Sequence, residues 1–384
     1  MAHALLRAAP RPETRLDAGQ PAFAFDILKT IMRTRLGILL ALLSSIAFCG
    51  DWNPRLAADY LDSRQKEWFA WPSANSAARP CVSCHTGVSY LLARPALGRA
   101  LGETGRSPYE TGLLDSLRAR VDQKDVADLF PKSTPPHSIE AMGVETVFAA
   151  LFLATEDARQ GKMSAATENA FDRLWALQIR DGENKGAWVW NSFNLDPWEM
   201  PESTYFGAAL AGVAAGTAPG GYAGRPAIQE NLNALKKYLL DHQSSQPQHN
   251  KLMLLWAEAK LPGLLLPIQA QNISKEILDK QQPDGGWTLA SLGPWKQHKD
   301  APPSEGSSAY ATAFTAFALQ KAGFSRTQPG IAKALAWLRA HQDPKTGVWA
   351  ADSMNHPHKA DTMPAKFMQD AATGYAAAAL LGTK

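Results

Sequence analysis

The feature that most restricts the fold of this chain is a spaced repeat that paired helices satisfy. A Leu recurs four residues before a Gln, at Leu174 and Gln178, Leu239 and Gln243, Leu278 and Gln282, and Leu338 and Gln342. That interval is about one helical turn and sets both side chains on one face. Three of these segments run into a glycine turn followed by Trp: Gly186-Ala-Trp188, Gly285-Gly-Trp287 and Gly347-Val-Trp349. Glycine there ends the helix, as a left-handed cap requires. An irregular stretch follows each Trp. A second helix of small and apolar residues then opens near Tyr205, Tyr310 or Tyr375, each with Ala three residues on.

The second helix of each pair is apolar nearly all round, as in Ala309 to Leu319 and Ala371 to Leu381, whereas the first carries charges such as Lys236, Lys237, Lys275 and Glu276. The first is therefore expected outside and the second inside. Three less regular pairs bring the hairpins to six: Arg55 to Phe69 with His85 to Leu101, Leu113 to Phe130 with Val144 to Ala154, and Ala227 to Gln243 with Leu252 to Ala259. One hairpin cannot bury its inner helix alone, so the units should stack, and a ring of six needs no capping repeats. The expected fold class is all-α, an (α/α)6 toroid of helical hairpins formed by residues 50–384 as a single domain. With 45% hydrophobic residues the chain has the apolar content for it.

The segment Gln281-Gln-Pro-Asp-Gly-Gly-Trp287 resembles the Gln-to-Trp repeat of squalene cyclases, and Gln342-Asp-Pro-Lys-Thr-Gly-Val-Trp349 is a looser copy. Roughly the last two thirds of the chain is thus similar to the toroids of terpenoid cyclases and protein prenyltransferases. The resemblance implies the fold and not the reaction, because the repeat Gln and Trp residues stabilise the ring. The Asp-x-Asp-Asp and Asp-Asp-x-x-Asp motifs of the two cyclase types are absent, and no Asp-x-Asp or adjacent Asp pair occurs anywhere. The prenyltransferase zinc site requires a Cys ligand, and beyond Cys49 the chain has only Cys81 and Cys84.

Those two belong to Cys81-Val-Ser-Cys84-His85, which resembles the haem-attachment motif of c-type cytochromes. The resemblance implies one covalent haem c in the first hairpin, within residues 78–90. Cys81 and Cys84 would add to the vinyl groups, and His85 would be an axial ligand of the iron. A redox dithiol or disulfide and a zinc site remain alternatives, although a dithiol normally sits at a strand-to-helix turn and zinc wants four ligands. No cytochrome-like domain of ordinary size surrounds the motif, which puts simple electron shuttling in question.

The first 49 residues read as a leader and signal peptide. Lys29, Arg33 and Arg35 precede the apolar run Leu36 to Phe48, and small residues follow near Ala47. Such a run is too short to span a bilayer, so the expected protein is exported, to a bacterial periplasm or the cell exterior, with no transmembrane span in its mature chain. Translation starts at Met1 or Met32. Six of the 39 basic and three of the 36 acidic residues lie before Gly50, so the remainder is formally neutral. Nucleic acid is not an expected partner.

In a ring, every outer-to-inner connection lies at one end, and here several are long: Pro131 to His137, Trp190 to Glu202, Gln243 to Asn250, Trp287 to Ser307 and Trp349 to Gln369. Long loops in compact repeats are commonly functional. Beyond residue 49 these hold most of the His and Met residues, including His137, Met200, His249, His298, Met354 and Met368. Closure would return the last loop beside the first, which makes Met363, then His358 and His356, candidate distal ligands, with an open sixth position as the alternative. Two function classes follow. One is electron transfer to a redox partner protein. The other is an oxidative enzyme holding a small apolar molecule in a cavity lined by Tyr205, Tyr310 and Tyr375, with Phe206 and Phe314, where Glu202 and Asp370 would assist proton transfer. Helix-capping or helix-dipole duty is the competing use of those two carboxylates.

Overall fold

Proline and small polar caps set the starts of the outer helices. Asn53 precedes Pro54 and its side chain accepts from the N–H groups of Arg55 and Leu56. Ser107 precedes Pro108 and accepts from Glu110. Pro267 and Pro329 likewise occupy first positions, where the missing proline N–H would be unpaired in any case. The computed structural model describes residues 52–76, 79–122, 137–295, 300 and 305–382. The leader, Cys49, His298 and most of the Pro131 to His137 connection lie outside them.

The described residues are predominantly helical. Outer helices α1 (Pro54–Ala70), α3 (Pro108–Val121), α5 (Ala165–Ala176), α7 (Gln229–His242), α9 (Pro267–Asp279) and α11 (Pro329–Ala340) alternate with inner helices α2 (Thr86–Ala100), α4 (His137–Ala158), α6 (Ser203–Thr217), α8 (Gln248–Lys260), α10 (Ala309–Lys321) and α12 (Phe367–Leu381). The segment expected as Leu113 to Phe130 begins earlier, at Pro108, because Ser107 caps it. Inner helices are buried along nearly their whole length, as in Ala309 to Leu319 of α10, whereas α9 buries only Ile273, Ser274 and Ile277. Helix α4 is long and apolar enough to cross a membrane, and 72% of its apolar window is buried inside the protein.

Successive inner helices pack on one another: α4 on α6, α6 on α8, α8 on α10, and α10 on α12. Helix α12 then packs along α2, while α3 touches both α2 and α4. The repeat residues form one recurring clasp. Indole Nε1 of Trp188, Trp287 and Trp349 donates to the carbonyls of Leu174, Ile277 and Leu338 at 2.7, 2.7 and 2.8 Å. The amides of Gln178, Gln281 and Gln342 each donate to their own glycine turn and to the start of another outer helix, at Asn231, Gly330 and Asn53. The working pair in the third copy is thus Ile277 and Gln281, not Leu278 and Gln282. Ile277 is fully buried at the Trp287 indole, and Leu278 is only partly so.

Gln342 makes its bond to Asn53, the cap of α1, so the last outer helix grips the first as α5 grips α7. Gly347 has φ 77°, and a Cβ there would lie 2.4 Å from the Leu56 carbonyl carbon. Gly347→Ala should therefore cost the left-handed strain of about 1–2 kcal/mol and push α1 away as well. Gly323, with φ 96° and nothing within 4 Å of its missing Cβ, is the control. Thermal melting should show the larger loss at Gly347, and equal losses would mean that this turn does not press on α1.

Candidate functional site

The two thiols and the imidazole lie on the turn that leads from α1 into α2. Cys81 is tied at both ends of its backbone: its N–H donates to Ala74 at 2.8 Å and its carbonyl accepts from Trp68 Nε1 at 2.8 Å. Asn75–Ser76 and Arg79–Pro80 form an antiparallel ladder just before it, too short to leave an alternating pattern in the sequence. Ser83, between the cysteines, accepts from the N–H groups of Thr86 and Gly87 at 3.1 and 3.0 Å, which satisfies donors that the helix start would leave open. Val82 is buried against Gly87.

Cys84 is buried, Cys81 is half-buried, and both are free thiols. Burial pushes the Cys81 thiol up to about 12, with Glu145 adding to the effect. Burial also holds Cys84 well above the ordinary thiol range, supported by Glu199 and Cys81. Disulfide oxidoreductases work through a thiolate of lowered pKa, the opposite condition. Among the described residues no group of three or more His, Cys, Asp or Glu side chains is arranged to hold a metal ion.

His85 is 7% exposed and caps α2. Phe367 stacks on its ring with centroids 3.6 Å apart, and Trp68 meets it edge-on at 5.5 Å. Burial, with Arg64 nearby, lowers the imidazole to about 3, so at neutral pH the ring is uncharged and keeps one lone pair for a metal. Its Nδ1 is 2.9 Å from Thr86 Oγ1, and that hydroxyl donates to Asp370 Oδ2 at 2.7 Å. Asp370 and Arg64 are both essentially unexposed. Arg64 donates to the two carboxylate oxygens at 2.8 and 3.1 Å, and the Tyr60 hydroxyl adds a bond of 2.7 Å. Burial raises the Asp370 carboxyl, and these donors oppose the rise.

The last connection therefore meets the first through Phe367 and Asp370. Met363 Sδ accepts from Arg64 Nη1 at 3.3 Å. His356 and His358 are exposed and lie 5.3 Å apart edge to face, while Met354 and Met368 are buried. Glu202 is exposed, makes no side-chain cap, and lines a cavity of about 240 Å³ with Met200, Asn250 and Trp295. The three tyrosines have different settings. Tyr205 donates to the Leu239 carbonyl in the seam of α6 and α7 at 2.7 Å. The Tyr310 hydroxyl is 2.9 Å from His249 Nε2, and the buried Tyr375 hydroxyl has no hydrogen-bond partner among the described residues. Tyr310, Tyr375 and Phe314 pack ring against ring, and Trp198 links Tyr310 to His85 at 5.4 and 6.2 Å.

Sequence reasoning did not find Thr86, Arg64, Tyr60, Phe367 or Glu199. Glu199, raised to about 7 by burial, acts on both thiols. One signal was present: Arg64 falls on the buried stripe of α1 with Ala57, Leu61 and Trp68, a spacing at which a charge needs a buried partner. No protein-family model matches the chain, and no curated protein matches it either.

Proposed function

We propose that this chain is an exported electron-transfer protein that carries one covalent haem c at Cys81 and Cys84, with His85 as an axial iron ligand, on a closed (α/α)6 toroid. The observation that carries the reading is the turn itself. Two free thiols sit three residues apart, and the adjacent imidazole is neutral and engaged at Nδ1. Phe367 stacks on the ring face and Thr86 engages Nδ1, so Nε2 is the nitrogen that would hold a metal. The haem supplies one-electron chemistry, while Trp68, Phe367 and Thr86 hold the imidazole and Trp198 shields it.

Closure of the toroid is supported by the Gln342 to Asn53 clasp, by the packing of α12 on α2, and by the Arg64 to Asp370 pair. Electron transfer is favoured over an oxidative enzyme by the interior, where Tyr310, Phe314 and Tyr375 are fully buried against one another. Met363 is the favoured distal ligand, because it precedes Pro364 in the last connection, which meets the turn through Phe367 and Asp370. A redox partner protein would dock at the loop end, near His85.

Produced with a c-type maturation system, the full chain should keep haem stain through denaturing electrophoresis, because thioether bonds outlast unfolding. An unstained band rejects the reading. The reduced protein should be low-spin and resist carbon monoxide, and Met363→Ala should open the iron to it. Rapid binding by the unaltered protein would move the assignment to the oxidative enzyme.

A further inference from the structure

We infer that Thr86 and Asp370 act as positioning residues that fix the tautomer of His85, placing its proton on Nδ1 and its lone pair on Nε2. The inference rests on the haem reading only for its purpose; the proton placement itself follows from counting donors. A Thr hydroxyl has one proton to give. Asp370 Oδ2, 2.7 Å from Thr86 Oγ1, is on a carboxylate whose other neighbours, Arg64 at two atoms and the Tyr60 hydroxyl, all donate to it. Paired with a guanidinium and fed by these donors, the carboxylate can only accept, so the Thr86 proton goes to it.

The lone pairs of Thr86 Oγ1 are then what face His85 Nδ1 at 2.9 Å. Two acceptors at that distance would repel, so Nδ1 must carry hydrogen. The Thr86 N–H also points at Nδ1, 2.9 Å away, the one contact that favours the opposite tautomer, and it is shared with Ser83 Oγ at 3.1 Å. With Ser83 as an acceptor the N–H does not depend on a lone pair at Nδ1, whereas the Thr86 hydroxyl has no second proton to offer. Ser83 thus has a use beyond capping: it competes with Nδ1 for that N–H. Thr86 and Asp370 come from the first and last hairpins, so the proton placement depends on those two packing together. In metal sites an outer partner on the unused nitrogen fixes ring orientation and raises ligand basicity, and this chain supplies that partner from a carboxylate acting through a hydroxyl.

The test uses ¹⁵N-labelled full chain produced without haem maturation, with His85 identified by the signals lost in His85→Gln. Two-bond ¹H–¹⁵N spectra of imidazoles separate the tautomers. The expected result is an Nδ1–H signature in the unaltered protein and in Thr86→Ser, which keeps the hydroxyl. Thr86→Val, isosteric but without the acceptor, should lose it and shift toward Nε2–H. An Nε2–H signature in the unaltered protein, or no change in Thr86→Val, overturns the inference. These arms need no haem, so failure of haem attachment and failure of the tautomer assignment are told apart. In haem-loaded protein, Thr86→Val should raise the reduction potential and Thr86→Ser should leave it in place, a difference that a merely structural threonine would not produce.

Discussion

Asp370→Ala is expected to lower the stability of the protein by about 3–5 kcal/mol, the range for breaking a buried ion pair from one side. Arg64 and Asp370 are 1% and 0% exposed. Removing the carboxylate leaves a guanidinium that cannot deprotonate, with the exposed Glu67 as its remaining carboxylate partner among the described residues. The Tyr60 and Thr86 hydroxyls lose their acceptor in the same step. Replacing both charges with apolar residues, Arg64→Met with Asp370→Leu, should recover much of the loss, because no isolated charge then remains. Urea unfolding of the two single variants and the double variant measures the coupling. Asp370→Ala with an unchanged midpoint would mean that water reaches the Arg64 guanidinium and that the first and last hairpins are only loosely joined.

The sequence made the alternation of outer and inner helices legible because two separate signals agreed. Apolar runs without polar interruption marked inner helices, and glycine turns with a following Trp marked the ends of outer ones. Register was harder. Ile277 and Leu278 are adjacent, as are Gln281 and Gln282, so both pairings have the same four-residue spacing, and the tertiary bonds of the Trp287 indole and the Gln281 amide choose between them. Helix starts were legible in principle, since Pro54, Pro108, Pro267 and Pro329 mark them, but apolar periodicity alone placed α3 too late.

The site divides in the same way. Cys81, Cys84 and His85 are contiguous, so local spacing reveals them. Thr86 is contiguous too, yet its role depends on Asp370, 284 positions along the chain. Asp370 was legible only as a carboxylate at the start of an apolar helix, where dipole and capping roles compete. Nothing local shows that Arg64, 306 positions away, is its partner. Long-range polar networks stay hidden because each member alone is an ordinary residue, and burial of the group is what gives it meaning.

The most decisive expected result is complete loss of retained haem when Cys81 and Cys84 are both replaced by Ala. Each thiol can make one thioether, so either single variant should still hold haem through one bond, and only the double variant should run unstained after denaturation. The fold should survive. Cys81 is positioned through its backbone, by Ala74 and the Trp68 indole, and the start of α2 is capped by Ser83 rather than by either thiol. Each substitution should then cost about 1 kcal/mol, the centre of the range for point variants, and helical circular dichroism with cooperative melting should persist. That pairing of results separates attachment chemistry from misfolding, since an unfolded double variant would lose haem for a trivial reason. His85→Gln completes the logic. It leaves both thiols in place, so covalent stain should remain while the low-spin spectrum is lost. Stain that persists in the double cysteine variant would show the group to be bound elsewhere, and the turn between α1 and α2 would not be the point of attachment.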